Sequence, residues 1–151
     1  MTARHAFSYL ELMLVVAIMG IFAAIAIPRY ANSIVRYRAG AAAQRVEADL
    51  VLARERARLT SQNVTVAFDP VNETVSIPLL AGLNHRAAAY LTDLTEEPYV
   101  ANIVSAVFND MQEVTFNGFG IPDNGGTVKV CAGDVTMEIT LDANTGEVNV
   151  Q

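Results

Sequence analysis

Residues that carry chemistry are scarce in this chain of 151 residues. Cys131 is the only cysteine, which excludes an intramolecular disulfide. It falls in an alternating, strand-like run and reads as a buried, unreactive thiol. There are two histidines. His5 lies in the N-terminal leader region, and His85 has no Asp or nucleophile motif beside it. Catalytic triads and multi-histidine metal sites are therefore not expected, and no cofactor is implied. Charge is low as well, at 17% of residues, and basic charge is lower still, with 10 Lys and Arg against 16 Asp and Glu. Beyond Ser61 only Arg86 and Lys129 are basic. Contacts to phosphates need clustered cations, so a nucleic-acid partner is not expected.

What the chain has in excess is apolar surface, at 52% of residues. The excess sits at the N-terminus. Phe7 to Ile27 is apolar apart from Ser8, Tyr9 and Glu11. As a helix this segment would be about 31 Å long, enough for a bilayer core of about 30 Å. Pro28, Arg29 and Tyr30 mark the end of the span, and Tyr30 and Tyr37 suit a membrane interface. Arg4 and His5 precede the span with no acidic residue among them, which favours a cytoplasmic N-terminus. Three readings fit the hydropathy. The segment could be a secretory signal cut after Ala24-Ile25-Ala26, a plain single-span anchor, or an anchor retained after a short polar leader is removed. Glu11 discriminates among them. A carboxylate at membrane depth is costly and usually marks function, and a plain anchor or a secretory signal has no use for one.

Arg29 to Thr60 reads as a continuing amphipathic helix. Val46, Leu50, Ala53 and Ala57 recur at helical spacing and build one apolar stripe. Arg45 with Asp49, and Glu55 with Arg58, suit a solvated face. The small residues from Ala39 to Ala43 would let another backbone approach closely. Ser61-Gln62-Asn63 ends the helix. Strands follow at Val64–Phe68, Thr74–Ile77, Val114–Phe116, Thr127–Cys131, Val135–Leu141 and Glu147–Val150, with turns at Asp69–Glu73, Gly118–Gly126 and Asp142–Gly146. Residues 79–98 read as a loop with a short helix near Arg86–Leu91, and residues 99–112 give no clear pattern. The fold class is α+β, a long helix packed on an antiparallel β domain.

The remaining motifs are weak. Asp142-Ala143-Asn144-Thr145-Gly146-Glu147 lacks the spacing of a calcium loop and reads as a hairpin turn. Gly118-Phe119-Gly120 is followed by no Lys-Ser/Thr, so it is a turn and not a phosphate loop. Glu96-Glu97 are adjacent and do not form a carboxylate pair for catalysis. No metal site is expected.

The run Ala6-Phe7-Ser8-Tyr9-Leu10-Glu11-Leu12 resembles the processing site of the type IV prepilins. In that family cleavage precedes a Phe, a Glu stands fifth in the mature chain, and a Pro comes near position twenty-two. Counted from Phe7, Glu11 is fifth and Pro28 is twenty-second. Ala6 departs from the Gly that usually precedes the cut. The helix end Ala48-Asp49-Leu50, Ala53-Arg54 and Ala57 running into Val64-Thr65-Val66 looks like the H-type minor pseudopilin of type II secretion (general secretion pathway protein H) and the related T-type minor pilins. So does Val114-Thr115-Phe116-Asn117-Gly118-Phe119-Gly120 followed by Thr145-Gly146-Glu147-Val148.

The resemblance implies a pilin-like subunit with a leader at 1–6, a transmembrane helix at 7–28, an amphipathic helix at 29–60 and a β-rich head at 61–151. A prepilin peptidase would cut between Ala6 and Phe7, and Phe7 would be N-methylated. Glu11 and Pro28 would serve assembly. The implied partners are other pseudopilins or pilins, the prepilin peptidase, the motor ATPase and the inner-membrane assembly platform. The location would be the inner membrane, single-pass, with the head in the periplasm. The chain is not expected to be an enzyme. Two other classes stand against this reading. A DNA-binding minor pilin for natural transformation would need a basic tail, whereas Leu141 to Gln151 holds Asp142 and Glu147 and no Lys or Arg. An anchored periplasmic enzyme would need a catalytic cluster.

Overall fold

A run of 52 residues without a helix-terminating glycine, interrupted by one proline, forms a single helix, α1 (Tyr9–Thr60). The computed structural model describes residues 8–81 and 89–151, less the side chains of Pro28 and Leu79. Two compact units divide the chain, Met1–Ile34 and Val35–Gln151. In the first unit, described from Ser8, the apolar side chains of α1 lie exposed, with Leu10 at 75% and Phe22 at 69%. Its apolar stretch reaches a mean hydropathy of 2.7, long and apolar enough to cross a membrane.

In the second unit α1 turns amphipathic. Ala39, Ala42, Ala43, Val46, Leu50, Ala53 and Ala57 are all fully buried. The alanines read as a surface for another backbone are thus covered by the head itself, within its own core. A Cβ on Gly133 would stand 3.1 Å from Val35 Cγ1, which shows how close the β part comes to the helix. The helix stops where Ser61 takes a left-handed φ of 52°, a conformation that closes a helix C-terminus.

Among the described residues eight strands follow: β1 (Val64–Asp69), β2 (Thr74–Ala81), β3 (Ala89–Asp93), β4 (Asn102–Val107), β5 (Glu113–Phe116), β6 (Gly126–Ala132), β7 (Val135–Leu141) and β8 (Val148–Val150). They form two four-stranded sheets, ordered β3-β2-β1-β5 and β4-β6-β7-β8, with every pairing antiparallel. Alternation decides which faces are inside. Val64, Val66 and Phe68 of β1 are buried between half-exposed neighbours, as are Val128 and Val130 of β6. Phe68 and Phe108 stack at 5.5 Å between the two sheets. Glu73 joins the sheets on one side. Its carboxylate accepts hydrogen bonds from the Ile103 amide and, at 3.2 Å, from the Asn102 side chain.

Two expectations are corrected, and one stretch without a clear pattern gains its elements. Residues up to Leu91 do not continue a helix: Ala89–Asp93 is strand β3, and the rest of the expected helix, 86–88, lies outside the described residues. Tyr90 and Thr92 point inward while Ala89 and Leu91 point out, and β2 supplies the backbone partners through Ile77, Ser76 and Val75. The pairing overrides the helix preference of Ala89 and Leu91. Residues 99–112, without a clear pattern in the sequence, contain β4 and a tight turn at Asn109-Asp110. Cys131 is half-buried, not buried, because it stands on the outer face of β6, opposite Val130. It faces Asn102 on β4 and Thr136 on β7 across the sheet.

Candidate functional site

The residues singled out for processing, Ala6 and Phe7, lie outside the described residues. Glu11 stands in the first turn of α1, exposed, where an acidic residue suits the positive end of the helix. Leu12 donates its amide to the Ser8 carbonyl at 3.1 Å, so the helical ladder begins at Ser8. No further Asp, Glu, Lys or Arg follows Glu11 until Arg29. α1 continues through Pro28. Pro28 has no amide hydrogen, so the carbonyl four residues earlier, that of Ala24, lacks its usual donor.

The head has polar chemistry of a different kind. Asp49 is not on a solvated face: it is 1% exposed. Tyr90 Oη donates to Asp49 Oδ1 at 2.6 Å, and Arg45 Nε lies 3.3 Å from the same oxygen. Arg45 Nη2 also donates to Tyr90 Oη at 2.7 Å and to Thr92 Oγ1 at 3.3 Å, with its guanidinium 5.8 Å from the Tyr90 ring centroid. Asp49 Oδ2 has no hydrogen-bond partner among the described residues. Burial pushes the Asp49 carboxyl above its ordinary value, against the opposing pull of the Tyr90 and Thr92 hydroxyls and Arg45. The Tyr90 hydroxyl is raised too, by burial first and then by its bond to Asp49. The cluster pins β3, the edge of its sheet, onto α1. The helical spacing of Arg45 and Asp49 was legible in the sequence. The burial of Asp49 depends on Tyr90, 41 residues further on.

At the other end of the head, Arg54 and Arg58 hold two turns against the last turns of α1. Arg54 Nη1 donates to the Gly146 carbonyl at 2.9 Å, and Arg58 Nε to the Phe119 carbonyl at 3.0 Å. Gly146 packs so near Gly120 that an added Cβ would come within 2.8 Å of the Gly120 carbonyl oxygen. The Asp142 turn closes the β7–β8 hairpin: its Oδ1 accepts from the amides of Asn144 and Thr145 at 2.8 and 2.9 Å. These bonds, with that of the Thr145 hydroxyl, hold the Asp142 carboxyl below its usual range. Glu97 is drawn into an ion pair with Arg38 at 2.8 Å. Among the described residues no group of Asp, Glu, His or Cys is placed to hold a metal ion.

The two-sheet head with its buried helical stripe matches a known family. The profile described as "Type II transport protein GspH" matches residues 42–146. The chain belongs to this family. It is a pilin-like, GspH-type minor pseudopilin. Solved structures agree on the fold. The type IV minor pilin FimU of Pseudomonas aeruginosa is 18% identical, with a TM-score of 0.57 over 77% of this chain and 90% of that one. The minor pseudopilin EpsH from the type 2 secretion system of Vibrio cholerae is 16% identical, with a TM-score of 0.57 over 76% of this chain and 96% of that one. A comparison with curated proteins gave no match. The match begins at Ala42, so the family is carried by the second half of α1 and the sheets.

Proposed function

We propose that this minor pseudopilin is held in the inner membrane by residues 7–28 and adds, through that helix, to a secretion pseudopilus or type IV pilus, with its head in the periplasm. The role is structural and not catalytic. The observation that carries it is the GspH match over residues 42–146 on a chain whose preceding helix is apolar and exposed along its length. Lipid and neighbouring pilin helices are the surroundings that suit such a surface.

A prepilin peptidase cuts between Ala6 and Phe7 in this reading, and the new terminus at Phe7 is N-methylated. The Phe7 ammonium then lies four residues before Glu11, about 6 Å along a helix. Each charge is costly in lipid when alone, and pairing relieves part of that cost. Formed between neighbouring chains, the pair sets the axial register. Pro28, where the helical hydrogen bonding is weakened, is where α1 yields as subunits pack. The assembly platform, the motor ATPase and other pilin-like subunits are the partners.

The experiment is the mature N-terminus. Mass spectrometry of the membrane fraction should find a chain starting at methylated Phe7. A start at Ile27, the product of a secretory signal, would overturn the reading.

A further inference from the structure

An asparagine stands before a glycine twice in the chain, at Asn117-Gly118 and at Asn124-Gly125. Asparagine is among the thermolabile residues. In such a pair the glycine nitrogen can attack the carboxamide carbon of the asparagine. Glycine favours this, because it has no Cβ beside the attacking nitrogen and its backbone turns freely. The attack requires the nitrogen to be brought against Cγ, so a pair held in another geometry reacts slowly. The two pairs are alike in sequence, and the fold treats them differently.

Asn117 is held by its own groups. Its Oδ1 accepts from the Phe119 amide at 3.0 Å and from the Ile121 amide at 3.1 Å. Its carbonyl accepts from the Gly120 amide at 2.8 Å, and its amide donates to the Ile121 carbonyl at 3.0 Å. Arg58 Nε fixes the same turn to α1 through the Phe119 carbonyl, and the Phe119 ring is left exposed. To meet the Gly118 nitrogen, the carboxamide would have to give up both amides. Asn124 is fixed only through its neighbours. The Asp123 amide donates to the Thr115 carbonyl at 2.9 Å, and Asp123 Oδ1 accepts from the Thr115 amide at 3.0 Å. Gly126 pairs with Leu141 at the start of β6. Among the described residues the Asn124 carboxamide makes no hydrogen bond, and outside the sheets no backbone hydrogen bond holds Asn124 or Gly125. Both are partly exposed. Packing does not separate the pairs. A Cβ on Gly118 would come within 2.9 Å of the Ser61 backbone, and one on Gly125 within 3.0 Å of the Ala143 nitrogen. Hydrogen bonding does.

We propose that Asn124 is a site of spontaneous deamidation in the folded head, and that the turn around Asn117 protects the other pair. The Gly125 nitrogen forms a bond to Asn124 Cγ. The Cγ–Nδ2 bond breaks, and Nδ2 leaves as ammonia with the proton of the Gly125 amide. Water then opens the succinimide ring, its hydroxyl going to a carbonyl carbon and its proton to the Gly125 nitrogen. Opening at Cγ leaves an aspartate at position 124. Opening at the main-chain carbonyl leaves an isoaspartate, whose main chain runs through Cγ. Water is the only co-reactant. Either product adds a carboxylate beside Asp123. The isoaspartate also lengthens the chain by a methylene where it enters β6, against the turn that holds Ala143.

The test ages the full-length protein in detergent at mildly alkaline pH, either folded or in urea. Trypsin releases residues 87–129, between Arg86 and Lys129, with both asparagines in one peptide. Mass spectrometry with fragmentation locates the exchange of NH2 for OH. In the folded protein the product should form at position 124, with position 117 slower by roughly a hundredfold, the cost of a misplaced reacting group. In urea the two positions should react at similar rates. Asn124→Gln, which would have to close a larger ring, should abolish the product at that position. Equal rates in the folded protein would overturn the protection of Asn117. The same inequality in urea would overturn the fold as its cause. A folded protein that keeps Asn124 intact for the time that converts it in urea would overturn the site.

Discussion

Asp49 keeps a carboxylate inside the head because three groups from two elements converge on it, the hydroxyls of Tyr90 and Thr92 and the guanidinium of Arg45. The compensation is incomplete, since one oxygen is unpartnered among the described residues and burial dominates the shift. The folded-state pKa is raised above the unfolded value near 3.8, so the folded state binds the proton more tightly. The resulting stabilisation is complete below the unfolded value and is lost as pH rises through the raised folded one. Asp49→Asn retains an acceptor for Tyr90 and removes the titration. The stability difference between wild type and Asp49→Asn should therefore shift in favour of wild type as pH falls toward 3.8. Denaturant titrations at several pH values measure it, and a difference independent of pH would refute the assignment. Leu50, next to Asp49 and fully buried, acts only by packing. Leu50→Ala should cost about 2–5 kcal/mol, read from the same titrations. An unchanged midpoint would mean that the stripe does not bear on the core.

Among the elements, the two hairpins capped by an aspartate, β1–β2 and β7–β8, respond to pH in the opposite sense to Asp49. Asp69 caps the β1–β2 turn by accepting from the Val71 and Asn72 amides and from the Asn72 side chain, and Asp142 does the same work between β7 and β8. Both carboxyls are lowered by these hydrogen bonds. Their contribution is present above the unfolded value near 3.8 and is lost as pH falls through the lowered folded one. Asp142→Ala should thus weaken the head at neutral pH and approach wild type in strong acid, a convergence that melting curves at pH 7 and pH 2 would reveal. The anchor part of α1 has its own test. Glu11→Leu should insert and be processed normally yet incorporate poorly beside its partners, measured by crosslinking to partner subunits. Equal crosslinking with full secretion or pilus activity would rule out an assembly role for that carboxylate.

At the scale of the whole molecule, the unit Val35–Gln151 contains its own core, in which the α1 stripe meets residues of both sheets. The second part of α1 is therefore an organ of the head and not a linker. Expressed without the residues before Val35, the unit should be soluble and unfold in one cooperative step, because the core residues among those described all lie at Val35 or beyond. Aggregation, or a melt with no cooperative transition, would show that the head depends on the anchor. A fragment that starts at Ser61 should fail to fold, since it lacks the seven buried stripe residues from Ala39 to Ala57.

Local order in the sequence was enough to determine the anchor, the helix and most strands. The apolar stretch, the stripe at Val46, Leu50, Ala53 and Ala57, and the alternation of Val135 to Leu141 each repeat within one element. Periodicity over a few residues therefore reveals which side is buried. The turn at Phe108-Asn109-Asp110-Met111 carried a signal of the same kind. Asn109 and Asp110 both take positive φ, 49° and 65°, the pattern of a tight two-residue hairpin turn, and Asn and Asp tolerate it better than most residues. Tertiary structure alone decided the rest. β3 is a strand because β2 offers it partners, whatever its local sequence favours. Asp49 is buried because Tyr90 and Thr92 arrive from β3, and Phe119 stands out because Arg58 and Asn117 hold its turn against the helix end. Each of these depends on groups that the fold brings together from other elements or other parts of a turn, and such meetings leave no periodic trace in the chain.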